Sequence, residues 1–275
     1  MGLGDAIMAT GEVNELLKKN PDTKFLIGDG KNEYWNEVFI NNPNIIRKYE
    51  IKNHKKVYWL KNYEGNRPYR NYDKNKLPDN YNWNINYKAK KGEIFFNSNE
   101  IKLASDVISK IKNKVGDKKI IFIEPYVKKR RGYQNRDWGV KNWQKVVSSL
   151  KNQYVFLHIT HGDLAPLRDC INIHGLSFRP SVAILSKCDL FIGTEGGMHH
   201  AAAATSRKAV VIFGGHISPK ITGYDFHKNL YVDIEGSPCG ILSGECDHCK
   251  ECMDKITVEM IMHAIERNIS KKIAY

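Results

Sequence analysis

The stretch that decides the fold reads Asp189-Leu-Phe-Ile-Gly-Thr-Glu-Gly-Gly-Met-His-His-Ala-Ala-Ala-Ala204. Its apolar start predicts a buried strand, and its alanine-rich end predicts a helix. Thr194, between the two, has the chemistry of a helix N-cap. The adjacent Gly196 and Gly197 allow a ligand to approach the backbone closely. A glycine-rich turn that opens a helix suits a phosphate or diphosphate, although an ordinary strand-to-helix turn has the same local pattern.

Similar alternation extends through the chain. Strands are predicted at residues 24–27, 57–60, 119–124, 154–159, 171–174, 190–192, 209–213 and 230–234. Helices are predicted at residues 5–20, 34–41, 99–115, 140–150, 180–186, 198–205 and 257–269. This order is typical of an α/β protein with a parallel, doubly wound sheet. Ligands of such sheets bind beyond the carboxyl ends of the strands, where Glu124, Gly193 and Gly214 lie.

The charge composition of the chain limits the kinds of molecule that it is expected to bind. The 275 residues carry 43 Lys and Arg against 30 Asp and Glu, which gives a formal charge of +13. This balance fits a nucleic acid, an anionic membrane, a phosphorylated glycan or a nucleotide. The general abundance of lysine in this sequence is an alternative explanation of the positive charge. No motif typical of nucleic-acid binding occurs, so nucleic acid is not expected as a partner. Neither a signal peptide nor an 18-residue apolar run occurs, so we expect a cytoplasmic protein, and the inner face of the membrane stays open as an alternative place of work.

Two segments of the first half attract attention. Asp5 follows a glycine-rich turn and precedes a predicted helix, where it serves either as a general base or as an N-cap. Residues 62–91 are rich in Asn, Tyr, Lys and Pro and show no sustained period. An aperiodic segment of this length is a functional loop or disordered. Its tyrosines and tryptophan favour a structured surface that contacts another molecule.

A basic loop comes between the strand at 119–124 and the helix at 140–150. Its first part, Lys128–Arg131, is typical of a solvated loop. Arg136 is different, because Trp138 and Trp143 follow it and both have the character of buried anchors. A guanidinium held in this way can bind a phosphate through two parallel hydrogen bonds.

Four cysteines fall within fourteen residues, and they are Cys239, Cys246, Cys249 and Cys252. This density is typical of a metal site, with structural zinc as the first expectation and iron as the second. Reduced thiols in a turn are the alternative. Cys170 and Cys188 occupy apolar surroundings and are predicted to be core residues.

Together these motifs resemble glycosyltransferase family 9, the ADP-heptose heptosyltransferases and their relatives. The resemblance rests on Gly4-Asp-Ala-Ile-Met-Ala-Thr10, on Arg136-Asp-Trp138, on the stretch Ser177–Asp189, and on Glu195-Gly-Gly-Met-His-His200 with its alanines. It is good over residues 119–215 and weaker over the first sixty. Some heptosyltransferases that modify proteins carry a cysteine-bound metal, which agrees with the cysteine cluster.

The resemblance implies a GT-B fold, in which two Rossmann-like domains face each other across a cleft. We expect an acceptor-side domain at residues 1–116 and a donor-binding domain at residues 117–275. The family's first strand has no counterpart before Gly4-Asp5, so three alternatives stay open: the chain is truncated, its start is unusual, or the N-terminal sheet lacks that strand. The implied reaction is an inverting sugar transfer that needs no cofactor or catalytic metal. Its donor is a nucleotide-diphosphate sugar, first of all an ADP-sugar, and its acceptor is a glycan, a lipid-linked molecule or a protein.

The same resemblance implies roles for single residues. Asp5 would deprotonate the acceptor hydroxyl, and Arg136 would replace the family's lysine at the diphosphate. The residues expected around the donor are Thr194, Glu195, Gly196, Gly197 and His200, with Asp163 at the ribose. Glu195 and Gly196 replace the Asp-Thr of the family signature, which leaves the donor open.

Two alternatives remain open from the sequence. One is a nucleotide-sugar-binding protein without transferase activity. The other is a zinc-containing protein that binds nucleic acid.

Overall fold

The computed structural model describes residues 1–61, 63, 66–72, 82–127, 133–162, 164–241 and 244–270. The strands are β1 (Lys24–Ile27), β2 (Val57–Leu60), β3 (Arg70–Asn71), β4 (Asn82–Trp83), β5 (Ile120–Glu124), β6 (Val155–Thr160), β7 (Ile171–His174), β8 (Leu190–Thr194), β9 (Ala209–Gly214) and β10 (Lys228–Tyr231). The α-helices are α1 (Leu3–Leu17), α2 (Ser98–Val115), α3 (Val140–Leu150), α4 (Phe178–Leu185), α5 (Gly197–Ala204), α6 (Pro219–Thr222), α7 (Asp247–Asp254) and α8 (Val258–Ser270).

A six-stranded sheet dominates the C-terminal part, in the order β10-β9-β8-β5-β6-β7. Every neighbouring pair in it is parallel, as predicted. The register aligns Glu124 of β5 with Gly193 of β8, and Thr194 with Ile212 of β9. Because parallel strands end at the same edge, this alignment gathers the turns after β5, β8 and β9 into one region.

Helices cover both faces of this sheet, which explains why its central strands β5, β8 and β9 are nearly continuous apolar runs. Phe122 and Phe191 belong to the core on the face of α4 and α5, and that core continues into the N-terminal part. Ile123 and Ile192, one residue further along each strand, belong to the core beneath α3 and α8. The two-residue period of a strand thus supplies two cores from one run.

The N-terminal part contains a smaller parallel sheet, formed by β1 and β2. A single parallel bridge between Phe25 and Ile45 extends it by one position. Helix α1 begins at Leu3. Helix α1 packs against α5, and α2 packs against α4, so the N-terminal part lies directly on the large sheet's helices.

Several local predictions were wrong. The helix expected at 34–41 is only a 3-10 turn, Glu37–Phe39, capped by Asn36. Thr194 is the last residue of β8, and Gly196 occupies the N-cap position of α5. Within the described residues, no helix combines the length and apolar character that crossing a membrane requires.

Candidate functional site

A cleft of about 530 Å³ lies beyond the carboxyl ends of β5 and β8, between the N-terminal and C-terminal parts. The start of α1 forms one wall, and the start of α5 forms the opposite wall. Lining residues that the sequence had singled out are Asp5, Arg136, Thr194, Glu195, Gly196, Gly197 and His200. The structure therefore brings together seven residues that are up to 195 positions apart. Asp163, predicted at the ribose, lies outside the described residues.

Two helix N-termini meet at this cleft. A Cβ atom on Gly4 would lie 2.9 Å from His200 Cδ2 and 3.5 Å from the Gly197 backbone, so α1 and α5 approach this closely only with glycine there. A Cβ on Gly196 would meet nothing within 4 Å, which leaves its backbone open to the cleft. The first N–H groups of a helix have no partner inside it and carry partial positive charge. Both helix starts thus favour an anion between them.

Asp5 is the third residue of α1, and Gly2 occupies the N-cap position. The interpretation of Asp5 as an N-cap is therefore wrong. Its carboxylate accepts a 2.6 Å hydrogen bond from the Tyr69 hydroxyl at Oδ1 and a 3.2 Å bond from Arg67 Nε at Oδ2. The side chain is only 9% exposed. Asp5 is thus a carboxylate held in one orientation at the cleft.

Residues 66–72 and 82–91 of the aperiodic segment form the roof over Asp5. The Tyr69 ring lies 6.3 Å from the Trp83 ring, and Trp83 Nε1 donates a 2.9 Å hydrogen bond to the His216 carbonyl. Burial, and then the charge of Asp5, raises the pKa of Tyr69 well above its usual range, so the phenol keeps its proton. The sequence indicated that this segment contacts something, but not that it positions Asp5. Its positions 62, 64–65 and 73–81 lie outside the described residues.

Glu195 forms a buried ion pair with Arg136 Nη1 on the C-terminal wall. The Thr222 hydroxyl donates to Glu195 Oε1 at 3.4 Å, and His200 Nε2 lies 3.7 Å from the same oxygen. Burial alone would raise the pKa of Glu195, but the charge of Arg136 and the contact with His200 hold it well below its usual range. Arg136 reaches the cleft as predicted, yet its guanidinium contacts a carboxylate there.

The paired histidines divide between the cleft and the core. His200 lines the cleft, and its Nδ1 lies 2.9 Å from the Tyr224 hydroxyl. His199 turns away and packs its ring against Phe213, with centroids 5.5 Å apart, and against His227 at 5.4 Å. Burial lowers the pKa of His199 well below its usual range and that of His227 to about 3. Only one of the two adjacent histidines, His200, therefore lines the cleft.

Glu124 adds a second carboxyl group to the C-terminal wall. It ends β5 beside Gly193 of β8, and the Tyr126 backbone N–H donates to its Oε1 at 3.3 Å. Burial raises the pKa of Glu124 to about 7. The C-terminal wall of the cleft thus contains one carboxylate, Glu195, that stays charged and one carboxyl group, Glu124, that titrates near neutrality.

The cysteine cluster lies behind the same wall. Cys239 Sγ is 3.0 Å from Cys249 Sγ and 3.9 Å from Cys246 Sγ, and the Cys249 N–H points at Cys246 Sγ at 3.5 Å. Four tetrahedral sulfur ligands at about 2.3 Å from zinc would be about 3.8 Å apart. These three cysteines and His248 place ligand atoms within 4.8 Å of one another, and the buried His248 Nδ1 has no hydrogen-bond partner among the described residues. The donor set fits zinc or iron.

The predicted fourth ligand, Cys252, does not belong to that group among the described residues. Its Sγ lies 3.8 Å from His248 Nε2 and 3.9 Å from Ser237 Oγ. Helix α7, which contains Cys249 and Cys252 and has Cys246 as its N-cap, was not predicted, and its turn brings His248 to the cluster. Cys188 is buried in the core as predicted, while Cys170 is only half-buried.

Comparison with known proteins gives a consistent picture. The family model of glycosyltransferase family 9 (heptosyltransferase) matches residues 75–239. A family 9 glycosyl transferase of Veillonella parvula is 16% identical, covers 98% of this chain and 94% of its own, and superposes with a TM-score of 0.66. ADP-heptose LPS heptosyltransferase II of E. coli is 14% identical over 98% of this chain and 96% of its own, with a TM-score of 0.60. No curated protein matches. These similarities confirm the predicted α/β fold of the GT-B type.

Proposed function

The chain belongs to glycosyltransferase family 9, and from that premise we propose an inverting sugar transfer from an ADP-sugar of the heptose type to an acceptor hydroxyl. One observation carries the proposal. Asp5, on the wall of α1, faces the same cleft as the N-terminus of α5, so a carboxylate and a diphosphate-binding element lie on opposite sides of one cavity. A relative of the same fold bears the name ADP-heptose LPS heptosyltransferase II, which supports the choice of donor.

The donor diphosphate belongs at the start of α5. Backbone N–H groups of Gly196 and Gly197, with the Thr194 hydroxyl beside them, are donors for phosphate oxygens. Arg136 supplies a guanidinium at the same wall, and Glu195 and His200 lie next to the donor sugar. Negative charge develops on the diphosphate as the glycosidic bond breaks. Fixed N–H dipoles and a guanidinium stabilise that charge, so we propose a reaction that needs no catalytic metal.

Asp5 is the general base of the proposed reaction. The acceptor oxygen attacks the anomeric carbon while the bond from that carbon to the phosphate oxygen breaks, and the nucleotide diphosphate leaves with the electron pair. The acceptor proton passes to the Asp5 carboxylate. Attack from the face opposite the leaving group inverts the anomeric centre. Tyr69 and Arg67 keep the carboxylate oriented, which favours one geometry of attack.

We further propose that residues 1–116 bind the acceptor and residues 117–275 bind the donor. The roof formed by residues 66–72 and 82–91 lies over Asp5, which suits it to contact a glycan, a lipid-linked molecule or a protein as acceptor. The structural metal of the cysteine cluster stays outside the chemistry in this proposal, because four protein ligands would leave it no open position.

Asp5→Asn tests the role of the base. The amide keeps the size of the side chain and cannot accept a proton, so we expect kcat to fall about 100- to 10,000-fold. The affinity for ADP, measured by calorimetry, should stay within about threefold, because the donor lies on the opposite wall.

Asp106→Asn provides the matched control, since Asp106 is an exposed carboxylate on α2 that pairs with Lys102. This variant should keep wild-type turnover. Full activity of Asp5→Asn would refute the assignment of the base. Tight ADP-sugar binding by the wild type, with no transfer to any hydroxyl acceptor or water, would instead favour the binding protein that the sequence left open.

A further inference from the structure

The cysteine cluster contacts the short 3-10 turn, Tyr133–Arg136, that carries the cleft arginine. Asn135 is buried and forms the contact with both groups of its amide. Its Oδ1 accepts a 3.1 Å hydrogen bond from the backbone N–H of Cys246, and its Nδ2 donates to the Gly244 carbonyl at 3.3 Å. Gln134 donates a hydrogen bond to the same Gly244 carbonyl at 2.9 Å, and among the described residues its side chain forms no hydrogen bond to Cys246.

Metal binding would fix the segment that Asn135 contacts. Cys246 is both a candidate ligand through Sγ and the N-cap of α7, where its sulfur receives the Cys249 N–H. A bound ion holds Sγ in place, and with it the backbone N–H of the same residue. Without the ion, weak thiol contacts join the cysteine sulfurs, and Gly244, two residues before Cys246, is exposed and has a positive φ of 73°. Occupancy of the site therefore controls how firmly Asn135 is held.

Asn135 precedes Arg136 directly, so its backbone sets the point from which the arginine side chain starts. The guanidinium extends from there to Glu195, across the donor wall of the cleft. Displacements of about 1 Å in a positioning element can cost about a hundredfold in an enzyme's activity. The opposite side of the cluster also reaches the cleft, because Cys239 N–H donates to the Gly215 carbonyl at 3.0 Å and Ile241 lines the cavity.

We propose that Asn135 is a positioning residue that couples metal occupancy of the Cys239, Cys246, Cys249 and His248 site to binding of the donor diphosphate at Arg136. The inference rests on the proposed function, because it takes the diphosphate as the ligand of Arg136. Metal binding holds the turn, the turn holds the guanidinium, and the guanidinium binds the phosphate. The coupling is reciprocal, so donor binding also tightens metal binding by the same factor.

The test measures ADP affinity by calorimetry for the wild type, Asn135→Ala and Gln134→Ala, each with zinc bound and after chelation. In the wild type we expect chelation to weaken ADP binding about tenfold, within the usual range of coupling between sites. Asn135→Ala should bind ADP about tenfold more weakly even with zinc bound, and chelation should change that affinity less than twofold. Gln134→Ala should keep the metal sensitivity of the wild type, since Asn135 still contacts Cys246. Saturating ADP should strengthen zinc retention against a competing chelator in the wild type and not in Asn135→Ala.

The outcomes separate the two proposals. If zinc-loaded wild type binds neither ADP nor an ADP-sugar, the proposed function fails. If it binds ADP equally well with and without zinc, or if Asn135→Ala remains as sensitive to zinc as the wild type, the coupling is refuted. If chelation unfolds the chain, the zinc-loaded variants decide. At full zinc content, the coupling predicts that Asn135→Ala raises the KM for the donor and keeps kcat within about threefold, while Gln134→Ala leaves that KM unchanged. Equal KM values in the wild type and Asn135→Ala would refute the coupling.

Discussion

Glu195 occupies the position at which the family resemblance placed an aspartate, and its longer side chain reaches Arg136. Arg136 therefore has two alternative partners. The guanidinium contacts the Glu195 carboxylate in this structure, and a donor diphosphate would compete for it. His200 and Thr222 remain on the other carboxylate oxygen, so Glu195 does not lose every partner when Arg136 turns to a phosphate. A buried carboxylate left without partners would cost several kcal/mol, and these two contacts lower that cost.

Glu124 makes the cleft sensitive to pH, and Glu124→Gln tests this. Its pKa rises from 4.5 to about 7 on folding, mainly through burial. Between these values the folded state binds more protons than the unfolded state, so the free energy of unfolding falls as pH rises through this window. We expect the wild type to lose on the order of 2 kcal/mol between pH 5 and pH 8 through this group. Glu124→Gln should lose none of it, as measured by urea denaturation at both pH values.

Exposed Glu15 supplies the control for that measurement, because its pairing with Lys18 lowers its pKa and moves its titration below the window. Glu15→Gln should follow the pH dependence of the wild type. The affinity for the donor should also depend on the protonation state of Glu124. Above pH 7 the ionised Glu124 adds negative charge beside the diphosphate, so ADP affinity should fall with pH in the wild type and less in Glu124→Gln. Equal pH profiles for wild type and Glu124→Gln would contradict the raised pKa.

Single residues differ in how far the sequence reveals them. Arg136 and Glu195 lie next to glycines, tryptophans or strand ends that mark an α/β edge, so local pattern and resemblance predicted their place in the cleft. Tyr69 and Arg67 could not be found in this way. They lie in a segment without periodicity, and they reach Asp5 across 64 and 62 positions of sequence. Their contact is a product of tertiary packing alone.

At the level of elements, the large sheet was the easiest part to predict. Its central strands β5, β8 and β9 are buried on both faces, so each is a nearly continuous apolar run between glycine or polar turns. Helices α3 and α8 carry a regular apolar stripe, and their predicted bounds agree with the structure to within one residue. Helix α7 was missed, because Asp247–Asp254 is dominated by cysteines and charged residues rather than by an apolar face. The cysteines of this segment indicated a metal site, and the segment has no apolar pattern that predicts a helix.

The helical turn of α7 leads to a prediction about the fourth metal ligand. His248→Ala should lose most of the bound metal, while Cys252→Ser should retain about one ion per chain, as measured by elemental analysis of protein purified without chelators. The reason is that His248 shares the 4.8 Å cluster with Cys239, Cys246 and Cys249. The reverse result, with metal lost only from Cys252→Ser, would restore the four-cysteine site that the sequence predicted. Circular dichroism of both variants checks that α7 remains folded.

The two parts of the whole molecule are joined on both sides of the cleft. On one side α1 packs against α5 through Gly4 and Gly197. On the other side Arg179 of α4 forms a bidentate pair with Glu100 of α2, with N···O distances of 2.7 and 2.8 Å. Its Nη1 also donates to the Glu37 carbonyl at 3.0 Å. Arg179 is only 4% exposed, so one side chain of the C-terminal part satisfies three segments of the N-terminal part.

This arrangement predicts that Arg179 governs how the two parts unfold. Arg179→Ala leaves the Glu100 carboxylate buried without its cation, which costs about 3–5 kcal/mol when a buried pair is broken. We expect the variant to unfold at lower urea concentration and in two steps, the N-terminal part first, because the smaller sheet has little core of its own. Fluorescence of Trp35 and Trp59 against far-ultraviolet circular dichroism would resolve the two steps. Lys102→Ala breaks an exposed pair on the same helix, and there we expect a change below about 1 kcal/mol. A single transition at the wild-type midpoint for Arg179→Ala would mean that the packing of α1 on α5 joins the two parts without it.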